Sequence, residues 1–233
     1  MSLPKIATRE EWLAARTALL DEEKAMTRAR DALNTKRREL PMVRVDTEYT
    51  FEGPDGSVRL IDLFDGRSQL IVYHFMFDPS WDTGCPSCTA GTDEVSDGFL
   101  DHLHARDTSY AMVSRAPYPK LAAYRAERGW TVPWYSSFGT SFNDDFGVTV
   151  HPGGEYNFRR VGADVNGENP GRSCFLKVDG VVFHTYSQFA RGLESTGGSY
   201  YFLDLTVLGR QEDWEEPKGR AASVHDARPD FGD

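Results

Sequence analysis

The sequence predicts an α/β domain with a helical extension at its N-terminus and a lid-like insertion. Three observations carry this. Residues 70–77 (Leu70-Ile71-Val72-Tyr73-His74-Phe75-Met76-Phe77) form a continuous apolar run rich in β-branched and aromatic side chains, as expected of a strand covered on both faces. Beyond it, helical and strand patterns alternate and end in a hairpin marked by Val178-Asp179-Gly180-Val181, the signature of a sheet with an antiparallel edge. Ahead of it, residues 9–40 contain neither Gly nor Pro, which allows one long helix.

Taken in order, Thr8 and Glu11 form a capping box that opens this helix. Trp12, Leu19, Met26, Leu33 and Leu40 recur every seven residues, but Ala15, Glu22, Ala29 and Lys36 between them leave the apolar seam narrow. Two readings follow: a surface helix lying along its own domain, or a helix that pairs with a second copy to make a homodimer. Residues 42–46 and 49–51 read as short strands, and Gly53-Pro54-Asp55-Gly56 turns the chain back into Val58-Arg59-Leu60. The central strand follows, then a helical stretch from Cys85 to about Arg106, a strand at 110–114, a helix at 119–128, and strands at 173–178 and 181–186. Residues 130–171 are rich in Gly, Pro, Asn and aromatics, with one short helical candidate at 142–146. An irregular segment of that length is expected to be a lid or one wall of a pocket. Residues 200–208 are expected to be a helix packed on the sheet, and the polar stretch with Pro217 and Pro229 an ill-ordered tail. The expected organisation is an arm over 1–41, a domain over 42–209 with its insertion at about 130–171, and a tail over 210–233.

With 233 residues, 39% hydrophobic and 27% charged, the chain is large enough to bury well over half of its unfolded surface. No apolar run approaches the roughly 18 residues of a membrane span. Lys and Arg total 26 against 36 Asp and Glu, a formal charge of −10. A field of that sign repels phosphate backbones and anionic lipid, so neither nucleic acid nor a membrane is an expected partner. The opening Met1-Ser2-Leu3-Pro4-Lys5-Ile6 carries no secretory pattern, and a cytoplasmic location is expected. In such a compartment three cysteines are no disulfide framework.

Two of those cysteines stand in Cys85-Pro86-Ser87-Cys88, after the central strand and at the start of a predicted helix. A cysteine at the cap and another at the third helical position face each other across one turn, close enough to make or break a disulfide with little backbone change. Pro86 takes the first helical position, where its missing N–H costs nothing. The unpaired N–H groups and the helix dipole then lower the pKa of Cys85 but not of Cys88. Zinc would need four ligands, and Cys174 with one of His74, His102, His104 or His184 would have to converge on the pair; no second Cys pair exists. No metal and no cofactor are therefore expected. The Gly-rich stretches lack the strand-to-helix setting and the Lys of a phosphate loop, and no Gly-x-Ser-x-Gly elbow or His-Glu-x-x-His helix is present.

From about Val58 to Tyr186 the chain resembles the thioredoxin-like superfamily. The resemblance is carried by Asp62-Leu63-Phe64-x-Gly66-Arg67, the buried strand, Trp81 ahead of the two-cysteine helix start, and the late Asp179-Gly180 hairpin. More closely, four features look like the family filed as domain of unknown function 899. They are the long first helix, the order 82–89 (Asp82-Thr83-Gly84-Cys85-Pro86-Ser87-Cys88-Thr89), Ser136-x-x-Gly139 through Phe142-Asn143-x-Asp145-Phe146-Gly147, and the ending Leu205-Thr206-Val207-Leu208-Gly209-Arg210-Gln211-Glu212-Asp213-Trp214. That family is labelled predicted dithiol–disulfide oxidoreductases. The resemblance implies a thioredoxin-like fold, catalysis by Cys85 and Cys88, and a protein or small-molecule thiol or disulfide as partner. Aligned on Asp179-Gly180, Arg172 stands where thioredoxins have a cis-proline, as in peroxiredoxins, which also resemble this chain in the loop Pro79-Ser80-Trp81-Asp82-Thr83. A thiol peroxidase is thus a further reading, although Thr83 lies two residues ahead of Cys85 where peroxiredoxins have three. His74 aligns with the buried acid of thioredoxins, and there it would relay protons to Cys88; the plainer reading is a core histidine with one hydrogen bond.

Trp81, Trp130, Trp134, Tyr135 and Phe138 are candidates for a substrate groove, with the core of the lid as the plain alternative for the cluster from Trp130 onward. If that groove is the function, the chain is a redox-inert or redox-sensing binding module instead of an oxidoreductase.

Overall fold

The computed structural model describes residues 4–196, 198, 205–206 and 218. The expected helix at 200–208 and the tail at 210–233 therefore lie, but for those few positions, outside the described residues. The arm up to Pro41 and the body from Met42 are separate compact units.

In the arm, α1 spans Arg9–Arg38. Thr8 caps it, accepting from the Glu11 N–H, while the Glu11 carboxylate accepts from the Thr8 N–H at 2.8 Å. Acidic residues in the first turn and Lys36, Arg37 and Arg38 in the last complement its dipole. No residue of α1 is buried.

The body begins with β1 (Val43–Arg44) and the hairpin β2 (Thr50–Gly53) and β3 (Gly56–Arg59), followed by a 3-10 turn, Leu60–Phe64. Next come β4 (Gln69–His74), α2 (Pro86–Asp93), α3 (Asp97–His104), β5 (Thr108–Ser114) and α4 (Tyr118–Arg128). The segment expected to be a lid holds β6 (Trp134–Ser136), α5 (Phe142–Asp145), β7 (Thr149–Val150), β8 (Glu155–Tyr156), β9 (Arg159–Arg160) and β10 (Gly167–Glu168). The chain then runs through β11 (Gly171–Val178) and β12 (Val181–Phe189).

Eight strands form one sheet in the order β1-β12-β11-β4-β5-β6-β2-β3. β4 is parallel to β5 and antiparallel to β11, which returns as a hairpin into β12. Parallel strands joined through a helix that starts with the cysteine pair, and a hairpin on the other side of the central strand, make this the thioredoxin-like fold. β6 is parallel to β5 and extends the sheet. Part of the insertion thus completes the domain instead of covering it, and Phe142 of α5 is fully buried.

The pleat divides the core in two. Leu70, Val72, Ala111 and Val113 face one side with Phe51, Phe64, Phe142 and Phe175. Tyr73, Tyr110 and Met112 face the other with Phe75, Phe77, Cys85, Cys88 and Trp134. Adjacent residues of a strand point to opposite faces, so this division decides which side chains reach the cysteines.

Candidate active site

The loop from β4 to α2 carries Cys85 to the head of the helix. Asp78 opens it, accepting from the Ser80 N–H at 2.8 Å and the Ser80 hydroxyl at 2.6 Å. Arg115 ties Asp78 to the buried Glu168, donating to both carboxylates. Lys120 donates to the carbonyls of Pro79 and Trp81, and the Cys85 N–H donates back to Met76 at 3.0 Å. Directly before the cysteine, Gly84 has no room for a side chain: a Cβ there would lie 2.6 Å from the Phe75 ring.

Cys85 is the N-cap of α2 and Pro86 its first residue. No full capping hydrogen bond reaches the Cys85 side chain, but the Cys88 thiol and the N–H groups of Cys88 and Ser87 face its sulfur. Together they outweigh burial and bring the Cys85 pKa down to about 6, the Cys88 thiol contributing most. Cys88 behaves in the opposite way. Complete burial, and then the neighbouring Cys85 anion, push its pKa well above the usual thiol value. Both are free thiols.

Tyr73 was not singled out by the sequence, yet it is the β4 side chain directed at Cys88; burial first and Cys88 second hold its hydroxyl well above the ordinary phenol range. Arg172 lies across from it in the β4–β11 ladder, with its guanidinium 4.7 Å from the centre of the Tyr73 ring. It opposes the effect of burial on both Tyr73 and Tyr110, and one of its nitrogens donates to the Leu193 carbonyl at 3.0 Å. The peroxidase reading needs this guanidinium at the attacking sulfur; its contacts are with the tyrosines instead.

His74 points the other way. Its ring lies against Phe142 and Phe146 at 5.5 and 5.8 Å, and Nε2 is 2.8 Å from the Ser173 hydroxyl. The expected relay from His74 to Cys88 is therefore not assembled: the sheet itself separates the two, because residue 73 has the cysteine face and residue 74 the opposite one. Burial brings the His74 pKa down to about 3. Cys174 shares the Arg172 face of β11, and burial raises its thiol to about 11.

The five aromatic residues do not share one face. Trp134 is 1% exposed and donates its indole N–H to Ser114 at 2.9 Å. Trp130 packs on it at 5.8 Å and Phe75 at 4.7 Å, and Trp81 lies against the same cluster. Trp134 is core behind the cysteine loop, with Trp81 and Trp130 partly buried against it. Tyr135, one residue on in β6, packs on the opposite face, and Phe138 is exposed. Among the described residues, no group of three His, Cys, Asp or Glu side chains is placed to hold a metal ion, and no helix is long and apolar enough to cross a membrane.

A family model described as bacterial protein of unknown function (DUF899) matches residues 1–227. The chain belongs to this family. Among curated proteins none matches. Of solved structures, a bacterioferritin comigratory protein of Xanthomonas campestris, studied for alkyl peroxide reduction, is similar at 13% identity with a TM-score of 0.47, over 67% of this chain and 94% of its own. The peroxidoxin BcpB of Mycobacterium tuberculosis is similar at 17% identity with a TM-score of 0.43, over 67% and 91%. A putative protein disulfide isomerase of Bacteroides thetaiotaomicron is similar at 17% identity with a TM-score of 0.40, over 67% and 88%. Fold is shared far more widely than activity, so the chemistry open to this DUF899 chain rests on its own cysteines.

Proposed function

We propose that the chain is a thiol–disulfide oxidoreductase working through Cys85 and Cys88 in a reducing compartment, with a protein or small-molecule disulfide or dithiol as its partner. The observation that supports this best is the asymmetry of the pair. One cysteine caps a helix whose N–H groups face it, and the other lies one turn below; both are buried, Cys88 at 2% exposure against 8% for Cys85. With its pKa brought down to about 6, Cys85 favours the thiolate at pH 7, and the thiolate is the attacking species.

In the reducing direction, the Cys85 thiolate attacks one sulfur of a substrate disulfide. A mixed disulfide forms, and the other half of the substrate departs as a thiolate. Cys85 then no longer carries the charge that raises the Cys88 pKa, so forming the first bond eases loss of the Cys88 proton. Cys88 attacks the Cys85 sulfur, the intramolecular disulfide closes, and the second substrate thiolate leaves. Two electrons have passed to the substrate, and the reverse sequence oxidises a dithiol. Tyr73, directed at the Cys88 sulfur, is the side chain placed to hold that thiol in line.

Trapping tests this. Cys88→Ser, mixed with oxidised glutathione, should accumulate a mixed disulfide at Cys85, whereas Cys85→Ser should accumulate none. A trap at Cys88 or Cys174, or no trap in either variant, would overturn the reading.

A further inference from the structure

An open cavity of about 500 Å³ lies between residues 43–49, the end of α5, the β8–β9 hairpin and β12. It contains none of the cysteines. Its volume is within the range of small-molecule sites, and five aromatic side chains line it: Tyr49, Phe146, Tyr156, Phe158 and Phe189. Phe158 is 75% exposed, sits in the left-handed region at φ 62°, and meets the Phe189 ring edge at 5.4 Å. A bulky residue in that conformation costs free energy, and at this exposure burial returns little of it. The ring is left at the cavity mouth.

The charge of the lining is one-sided. Asp46, Asp145 and Glu155 stand against one guanidinium, Arg44, which is already paired with Asp46 at 2.9 Å. The Tyr49 and Ser141 hydroxyls donate to the same oxygen of Asp145, Oδ2, at 2.8 and 2.7 Å, so Oδ1 takes a hydrogen bond from neither. His184 adds no positive charge at neutral pH, since burial lowers its pKa. Anions are repelled by such a lining, and a bare metal ion finds no cluster of ligands there among the described residues. Ring faces carry negative potential and attract cations, and alkylated ammonium ions, which give up their hydration at low cost, are the ligands that aromatic cages recognise.

We propose that this cavity binds a small alkylated ammonium ion, with the aromatic rings around the substituted nitrogen and Asp145 as its counter-charge. No cysteine lines the site, although the Tyr156 hydroxyl feels the charge of Cys88.

The test compares choline with its uncharged isostere 3,3-dimethylbutan-1-ol, titrated into the full chain by calorimetry and mapped by amide NMR shifts. Choline should bind about 10-fold more tightly than the alcohol, with shifts at Gly147, Asn157 and Ser187. Asp145→Asn and Phe158→Ala should each weaken choline by about 5- to 10-fold. The exposed position of Phe158 should leave the melting temperature of its variant unchanged. Cys85→Ser should bind choline as the wild type does. Equal affinity for the two probes, shifts that map elsewhere, or no saturation up to about 50 mM choline would overturn the proposal.

Discussion

Tyr73 and His74 are neighbours in one strand, both are almost wholly buried, and they face different chemistry. On the Tyr73 side burial is balanced by charge: a thiolate at Cys85, a thiol above it in pKa, and the Arg172 guanidinium over the ring. At the His74 ring it is balanced by neutral hydrogen bonds. His74 Nε2, Ser173 Oγ, Ser187 Oγ and His184 Nε2 form a chain with spacings of 2.8, 2.8 and 2.7 Å. Three hydrogen bonds need three hydrogens, and two hydroxyls supply two, so one imidazole N–H supplies the third. His184 gives its other N–H to the Tyr186 carbonyl, which assigns the third donor to His74 Nε2. The atom left over is His74 Nδ1, buried without a partner. The cysteine side of β4 favours a charge, whereas the hydrogen-bond chain behind His74 keeps that ring neutral.

Four substitutions test the difference between the two faces. The largest stability effect belongs to the neutral face. Phe142 is fully buried against Tyr49, Phe51, His74 and Phe146, and Phe142→Ala should cost about 3–5 kcal/mol in urea unfolding, with disulfide exchange per folded molecule unchanged. A loss of exchange in the folded variant would mean that the two faces are coupled.

A paired substitution separates them more sharply. The His74 pKa is lowered, so between about 6.5 and 3 the unfolded chain binds a proton that the folded chain refuses. The resulting stability is present above about pH 6.5 and is lost on acidification, by about 1.4 kcal/mol per pH unit at most. His74→Gln should flatten that part of the pH dependence and leave exchange rates alone. Tyr73→Phe should do the reverse, lengthening the life of the mixed disulfide by about 3- to 10-fold while stability changes by about 1 kcal/mol. If His74→Gln alters the life of the mixed disulfide, or Tyr73→Phe flattens the pH dependence of stability, the assignment of roles to faces fails.

The smallest effect is expected at Arg172. Its guanidinium acts on the tyrosines, so Arg172→Met should slow closure of the disulfide by about 2- to 3-fold and leave the titration midpoint of Cys85 where it is. A midpoint that rises by a full unit would put the guanidinium at the attacking sulfur and revive the peroxide reading.

Much of this architecture was legible in the residues. The capping box at Thr8, the Asp179-Gly180 turn and the Pro86 helix start are local chemistry, and each element formed where it was expected. What was hidden depended on parity. In a continuous apolar run both faces look alike, so the run 70–77 gives no sign that Tyr73 and not His74 meets the cysteines. The helix expected from Cys85 to Arg106 is interrupted, with Ser96 capping a second helix by accepting from the Phe99 N–H. Trp134 and Tyr135 read as one aromatic cluster until β6 places them on opposite sides. The register shift between Cys174 and Phe175 matters for the same reason. It lets Ser187 and His184, three residues apart, share a face that a regular strand would deny them, and no composition or spacing rule announces such a bulge.

We propose Cys85 as the attacking thiolate. Limiting iodoacetamide, applied to the reduced chain across a pH series and read by mass mapping, tests it directly. Cys85 should label first, with a midpoint near pH 6, while Cys88 and Cys174 stay unlabelled below about pH 9. Earlier labelling of Cys88 or Cys174, or a Cys85 midpoint at the ordinary thiol value of about 8.5, would contradict it.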